Sequence, residues 1–209
     1  MKFSIEELRP TRNGMTISRD SKLGNSTKVT YFSMGKDTSI SQESYDRMTM
    51  YIGASGWGEE PEIIKLQPDE LLIVPAGTLC GMQTSNGIVY TEIICTGKDI
   101  NMNANVKTNE VFALKNLISY EEGSIANMDV VSTPDMKYVL MAFDEGTGLT
   151  PHRAPGNAIV FALEGKATIG YEGKDYELSE GECFRFEKNG LHSVTANGKF
   201  KMALLLVLE

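Results

Sequence analysis

Gly146-Thr-Gly-Leu-Thr-Pro-His152-Arg-Ala154-Pro-Gly-Asn-Ala158-Ile-Val-Phe-Ala-Leu-Glu-Gly165 and, further on, Gly181-Glu-Cys-Phe-Arg185-Phe-Glu187-Lys-Asn189-Gly-Leu-His192 decide how this chain reads. Between them they hold both histidines of a 209-residue sequence. A glycine opens each stretch, and short apolar segments of strand character follow. Side chains on a strand alternate faces. Carried forward from His152, that parity places Ala154, Ala158, Val160 and Ala162 on the histidine's side. Ile159, Phe161 and Leu163 then point the other way.

The same texture extends outward in both directions. Val29–Met34, Arg47–Ile52, Glu70–Val74, Ile88–Cys95, Tyr138–Phe143, Ala158–Leu163, Lys166–Tyr171, Cys183–Phe186 and Lys199–Leu208 all read as strands. Ser85-Asn86-Gly87, Tyr171-Glu172-Gly173 and Ala196-Asn197-Gly198 supply turn signals. Helical character is confined to Ile5–Arg9 and Leu114–Ser119. Regular short strands with so little helix indicate an all-β barrel or sandwich.

Sliding the chain against itself exposes a repeat. A shift of 109 lays Phe3 on Phe112, Leu8 on Leu117, Gly14 on Gly123, Thr38 on Thr147 and Gly56 on Gly165. Beyond Gly56 the offset becomes 112, and Leu66 meets Leu178 while Leu79 meets Leu191. Two β domains of one plan follow, residues 1–105 and 106–209. The polar stretch 98–109, with four asparagines, reads as the connector.

Composition removes several function classes. The formal net charge of −8 offers no basic stripe to phosphates or to an anionic membrane surface. The hydrophobic share of 41% and the charged share of 23% are those of an ordered globular chain. Cys80, Cys95 and Cys183 form no CxxC pair, and a reduced, cytoplasmic setting is the simplest reading. The amino terminus lacks an apolar signal-peptide core. The longest apolar run, Met202 to Leu208, is too short to span a bilayer as a helix but suits a strand buried on both faces. Motifs for nucleophilic serine, zinc-protease and phosphate-loop chemistry are lacking, as is a flanking helix-turn-helix segment.

The two quoted stretches resemble the two sequence motifs of the cupin superfamily. Gly146, His152, Gly165, Gly181 and His192 stand at that family's spacings. Ala154 takes the slot of its second histidine, Ala158 that of its glutamate, and Glu187 and Asn189 replace a proline and a glycine. The run His152-Arg-Ala-Pro-Gly-Asn-Ala158 is also similar to a subgroup of small bacterial cupins. In the first copy Glu43 lies opposite His152, Tyr45 opposite Ala154 and Cys80 opposite His192, while Pro75-x-Gly77 keeps the second motif's turn. The resemblance implies tandem jelly-roll barrels, a bicupin. It also implies small-molecule binding, or isomerase, lyase or dioxygenase chemistry on a small polar or sugar-like substrate.

On that resemblance His152 faces a barrel interior, and the alanines beside it leave a cavity. His152 and His192 are then the catalytic or metal-ligating candidates. Ala154, Ala158 and Val160 shape the pocket. Arg185 could clamp an anionic group, or sit on the outer face paired with a glutamate. Three readings of the histidines stay open. They hold a divalent zinc, iron, manganese or nickel ion. They hydrogen-bond a ligand or move a proton without metal. Or they are satisfied by core hydrogen bonds. Tyr45 and Tyr51 are expected to plug the matching position of the first barrel, whose role is then chiefly structural. A small-molecule ligand is the expected partner, with a homodimer through an edge strand as one assembly option.

Overall fold

The computed structural model describes residues 1–25, 27–60, 64–97 and 99–208. The chain is almost wholly β, and its strands divide into two compact units. One unit comprises Ile5–Thr96 and Ala104–Ala113; the other comprises Met1–Ser4, Gly97–Asn103 and Leu114–Glu209. They are called here the N-terminal and C-terminal units. Among the described residues no helix is long and apolar enough to cross a membrane.

In the N-terminal unit two antiparallel sheets form the jelly roll. The larger runs in the order Val111–Ala113, Glu70–Val74, Thr49–Gly56, Ile88–Ile94, Lys28–Met34 and Thr16–Asp20. The smaller contains Thr38–Ser44, Leu79–Thr84, Gly58–Glu60 and Ile64–Leu66. Met34, Tyr51, Leu66, Leu72, Met82, Ile88 and Tyr90 fill the space between.

The C-terminal unit reaches the same plan with longer strands. Asn157–Tyr171 and Leu191–Val207 pair along most of their length, with bulges at Ala162/Glu164 and Gly165/Ala167. The turn expected at Ala196-Asn197-Gly198 is therefore not a hairpin. It is a corner, where one continuous strand bends to serve both layers. Gly165 allows the bend: its φ is +76°, and a Cβ there would lie 2.1 Å from the Lys199 carbonyl oxygen. Its repeat partner Gly56 has φ +69° and the same conflict with the Gly87 oxygen at 2.0 Å. At Tyr171-Glu172-Gly173 the hairpin forms as expected, with positive φ at Glu172 and Gly173. The apolar run to Val207 lies between Met136–Phe143 and Asn157–Tyr171, paired on both edges.

Each lead-in strand belongs to the unit of the other sequence half. Lys2–Phe3 pairs with Cys183–Phe186, and Val111–Ala113 pairs with Glu70–Val74. The expected connector is likewise absorbed into the sheets. Asn101–Met102 pairs with Ile125–Ser132, and the Asn109 amide donates to the Ile73 carbonyl at 2.8 Å. Helix Ile5–Leu8 forms, but the second predicted helix shrinks to a single 3-10 turn, Leu114–Asn116. One turn suffices to bury Leu114, which is fully enclosed.

Candidate functional site

His152 lies on the strand Gly148–Arg153, which pairs with Leu191–Val207 and sets His152 directly opposite His192. Their ring centroids are 4.3 Å apart, with planes 55° apart. Each ring is anchored to its own strand. His152 Nδ1 lies 2.8 Å from the Thr150 carbonyl oxygen, and His192 Nδ1 lies 2.8 Å from that of Gly190. A carbonyl only accepts, so Nδ1 carries the proton in both rings and Nε2 keeps its lone pair. The pair is asymmetric in burial. His152 is exposed, whereas His192 is 7% exposed and stacks on Phe186 at 4.2 Å. Burial holds the His192 pKa below the ordinary imidazole range; the Gly190 bond opposes this and the neighbouring His152 reinforces it.

The remaining sequence candidates scatter. Ala158 and Val160 are buried in the interior cluster with Phe184, Phe186, Val194 and Met202. The cavity expected beside the alanines is filled. Phe186 pairs in register with Ala158, and the ring takes up the space that the small residue leaves. Ala154 stays half-buried near the mouth. Arg185 alternates with Phe184 and Phe186 on its strand and does not join their cluster. Its Nε meets Glu187 Oε1 at 2.9 Å, the outward, glutamate-paired alternative.

The turn before His192 shows how the altered motif still folds. Asn189 has φ +62° and Gly77, its repeat partner, φ +77°. Asparagine tolerates the left-handed region better than other side-chain-bearing residues, so it can replace glycine here. The Asn189 amide donates to the Ala154 carbonyl at 2.9 Å, and the Gly77 amide donates to the Tyr45 carbonyl at 2.8 Å. Arg153 strengthens the first of these junctions by donating to the Asn189 carbonyl and lying 3.8 Å from Glu172.

A cleft of about 250 Å³ lies beside His192, lined also by Pro151, Gly170, Lys174, Asp175 and Ser193 among others. Apart from His192, sequence reasoning named none of these as site residues. They converge only through the register Gly170↔Ser193 and the Tyr171–Lys174 hairpin. Gly170 keeps the cleft open, since a Cβ there would lie 2.4 Å from Ser193 Oγ.

Two Nε2 lone pairs are sound metal donors, but catalytic zinc sites ordinarily take three protein ligands. Among the described residues no group of three His, Cys, Asp or Glu side chains is placed to hold a metal ion. The donor set therefore does not fit a metal centre held by the protein alone.

In the N-terminal unit Glu43 pairs with Cys80 across Thr38–Ser44 and Leu79–Thr84, at the positions the repeat matches to His152 and His192. Tyr51 and Tyr90 are buried in the interior cluster here, and a small cavity remains beside Tyr45. All three cysteines are buried and reduced. Burial pushes the Cys95 thiol up to about 12.

Residues 139–208 match the family model described as a cupin domain. No curated protein matches the chain. Among solved structures, a cupin 2 conserved barrel domain protein from Leptotrichia buccalis is similar, with TM-score 0.87 and 24% identity. That match covers 99% of this chain and 96% of the other. Salicylate 1,2-dioxygenase from Pseudoaminobacter salicylatoxidans, in adducts with gentisate, matches at TM-score 0.68 and 11% identity, over 99% of this chain and 80% of its own. Residues 139–208 are thus similar to a cupin domain, and the likeness to these solved structures extends the cupin-type jelly-roll fold to both units.

Proposed function

We propose that the protein is a bicupin of the plan 1–105 and 106–209, and that it binds a small polar molecule beside His152 and His192. The observation that carries this reading is the cleft of about 250 Å³ lined by His192, whose Nε2 is left as an acceptor and whose ring packs against that of His152. Its size is just below the usual range for ligand pockets, which suits a compact molecule. Lys174, Asp175 and Ser193 supply an ammonium, a carboxylate and a hydroxyl for orientation. A ligand with hydroxyl groups, such as a small hydroxy acid or polyol, would donate to Nε2 and accept from Lys174.

The depressed pKa of His192 supports a second, enzymatic reading. An imidazole kept neutral at pH 7 is in the form a general base requires. It would take a proton from a ligand hydroxyl or activated C–H, with exposed His152 passing that proton to solvent.

The test is a thermal-shift and calorimetric screen of hydroxy acids and polyols on the full chain, with zinc and nickel titrated in parallel. Binding that raises Tm saturably and is lost in His192→Ala supports the site. Binding that survives both His192→Ala and Gly170→Val places the ligand elsewhere. Turnover of a bound compound, lost in His192→Asn, separates enzyme from binder.

A further inference from the structure

The N-terminal unit holds a cavity of about 30 Å³ whose chemistry differs from anything at the histidine pair. Four aromatic rings form much of its wall. Phe32 and Tyr90 stack with centroids 5.0 Å apart and planes 2° apart. Tyr51 meets Tyr90 at 6.0 Å with a 57° tilt, so the rings turn a corner around the space. Tyr45 stands half-buried at the opening. Ile40, Cys80 and Met82 also line it, and two carboxylates reach it: Glu43 is exposed at the rim, and Glu92 is only 4% exposed.

That buried carboxylate is the telling feature. A charge withdrawn from water is expensive without a counter-charge. Among the described residues no Lys, Arg or His lines the cavity, and none forms an ion pair with Glu92 or Glu43. The hydroxyl of Tyr45 reaches Glu92 Oε2 at 3.5 Å, the outer limit of a hydrogen bond. Burial raises the Glu92 pKa, and Lys28, whose field opposes this, does not enter the lining; a cation seated beside Glu92 would favour its charged form. Aromatic faces present negative potential to a cation, and two carboxylates add to it. The cavity is thus attractive to positive charge and hostile to anions. Glu43, Glu92 and Cys80 all line the cavity, but among the described residues no three such side chains are placed together to hold a metal ion. A bare alkali ion would gain little from ring faces relative to its own hydration shell.

We propose that this cavity is a binding site for a small organic ammonium ion, with Glu92 as its buried counter-ion and Tyr45, Tyr51, Tyr90 and Phe32 as its aromatic cage. The N–H groups of the ligand donate to Glu92, and its C–H groups lie against the rings. Small volume limits it to a few carbons, of the methylammonium or ethylammonium size. This role is independent of the histidine cleft, which lies in the other unit.

The experiment is calorimetric titration of the full chain with methylammonium chloride, with potassium chloride at matched ionic strength as control. Saturable binding of methylammonium with no response to potassium is expected. Glu92→Gln, nearly isosteric, should weaken it by more than about ten-fold, as removal of a buried charge partner does. Tyr45→Leu, at the half-buried rim, should weaken it several-fold while leaving the unfolding midpoint close to wild type. His192→Ala should bind methylammonium as wild type does. Absence of saturable methylammonium binding, an equal response to potassium, or unchanged affinity in both Glu92→Gln and Tyr45→Leu overturns the proposal.

Discussion

The two barrel mouths have one backbone and opposite chemistry. Glu43 faces Cys80 where His152 faces His192, in matching strand registers. Matching turn amides, Gly77 and Asn189, tie the neighbouring strand in each. Around this shared frame the N-terminal interior keeps a buried carboxylate and tyrosines, and the C-terminal interior is filled with phenylalanine up to the underside of His192. A barrel is held by its ladders, corners and interior volume, so the few residues at the mouth can change charge sign without disturbing it.

The comparison is most severely tested at position 186. Phe186→Ala removes a core ring and the stack beneath His192, with an expected cost of about 3–5 kcal/mol in urea unfolding. The repeat-equivalent Val74→Ala should cost about 2 kcal/mol, because a smaller side chain leaves the core. In Phe186→Ala the His192 pKa should move up toward the ordinary imidazole value, read by NMR titration of the ring protons. An unmoved pKa would show that Phe186 does not keep water from His192.

The corner glycines come next. Gly56→Ala and Gly165→Ala should each cost about 3 kcal/mol, since both combine positive φ with a carbonyl in the Cβ position. Unequal effects would break the structural equivalence of the corners. Smaller again are the turn variants: Gly77→Ala and Asn189→Ala should each lose about 1–2 kcal/mol, and Asn189→Gly should lose almost nothing.

The smallest effects are on pH dependence, and they have opposite signs in the two units. His192 has a folded pKa below its unfolded value, so the unfolded chain takes up its proton first as pH falls. Its contribution is therefore full above the unfolded value of about 6.5 and declines below it. Glu92 has a raised folded pKa, chiefly through burial. Its contribution is full below the unfolded carboxylate value of about 4.3 and is lost as pH rises through the folded value. His192→Asn should remove slope on the acid side of neutrality, and Glu92→Gln should remove slope of the opposite sign. Denaturant midpoints measured from pH 4 to 8 would check both.

Legibility in the sequence depended on how local each determinant is. The strands Glu70–Val74 and Cys183–Phe186 were readable because β-branched and aromatic residues pack well on a pleated surface. Thr38–Ser44 and Gly148–Arg153, which carry Glu43 and His152, were not among the strands read. Both are largely exposed, and their polar composition suits a loop equally well. Strand alternation places Ala158, Val160 and Ala162 on one face, and all three lie in the same interior cluster. Alternation carries no signal that Phe186 fills the space beside them. That ring comes from a strand far along the chain, and registers between distant strands leave no local trace. The Gly170–Ser193 contact and the exchange of Lys2–Phe3 for Val111–Ala113 escaped for the same reason.

By itself, then, the sequence determined the all-β class, the offset of the internal repeat, and the two slots where imidazoles stand. The class follows from alternation and glycine placement, the offset from matching the chain against itself, and the two slots from the resemblance of the motifs around them to those of the cupins. Tertiary structure alone decided that the alanines border a packed core, that the cleft opens beside His192, and that Glu92 is enclosed by tyrosines. Each of these is a matter of volume and burial between strands distant in the chain. Burial alone converts an ordinary glutamate or histidine into a group whose charge must be answered by something that fits the space.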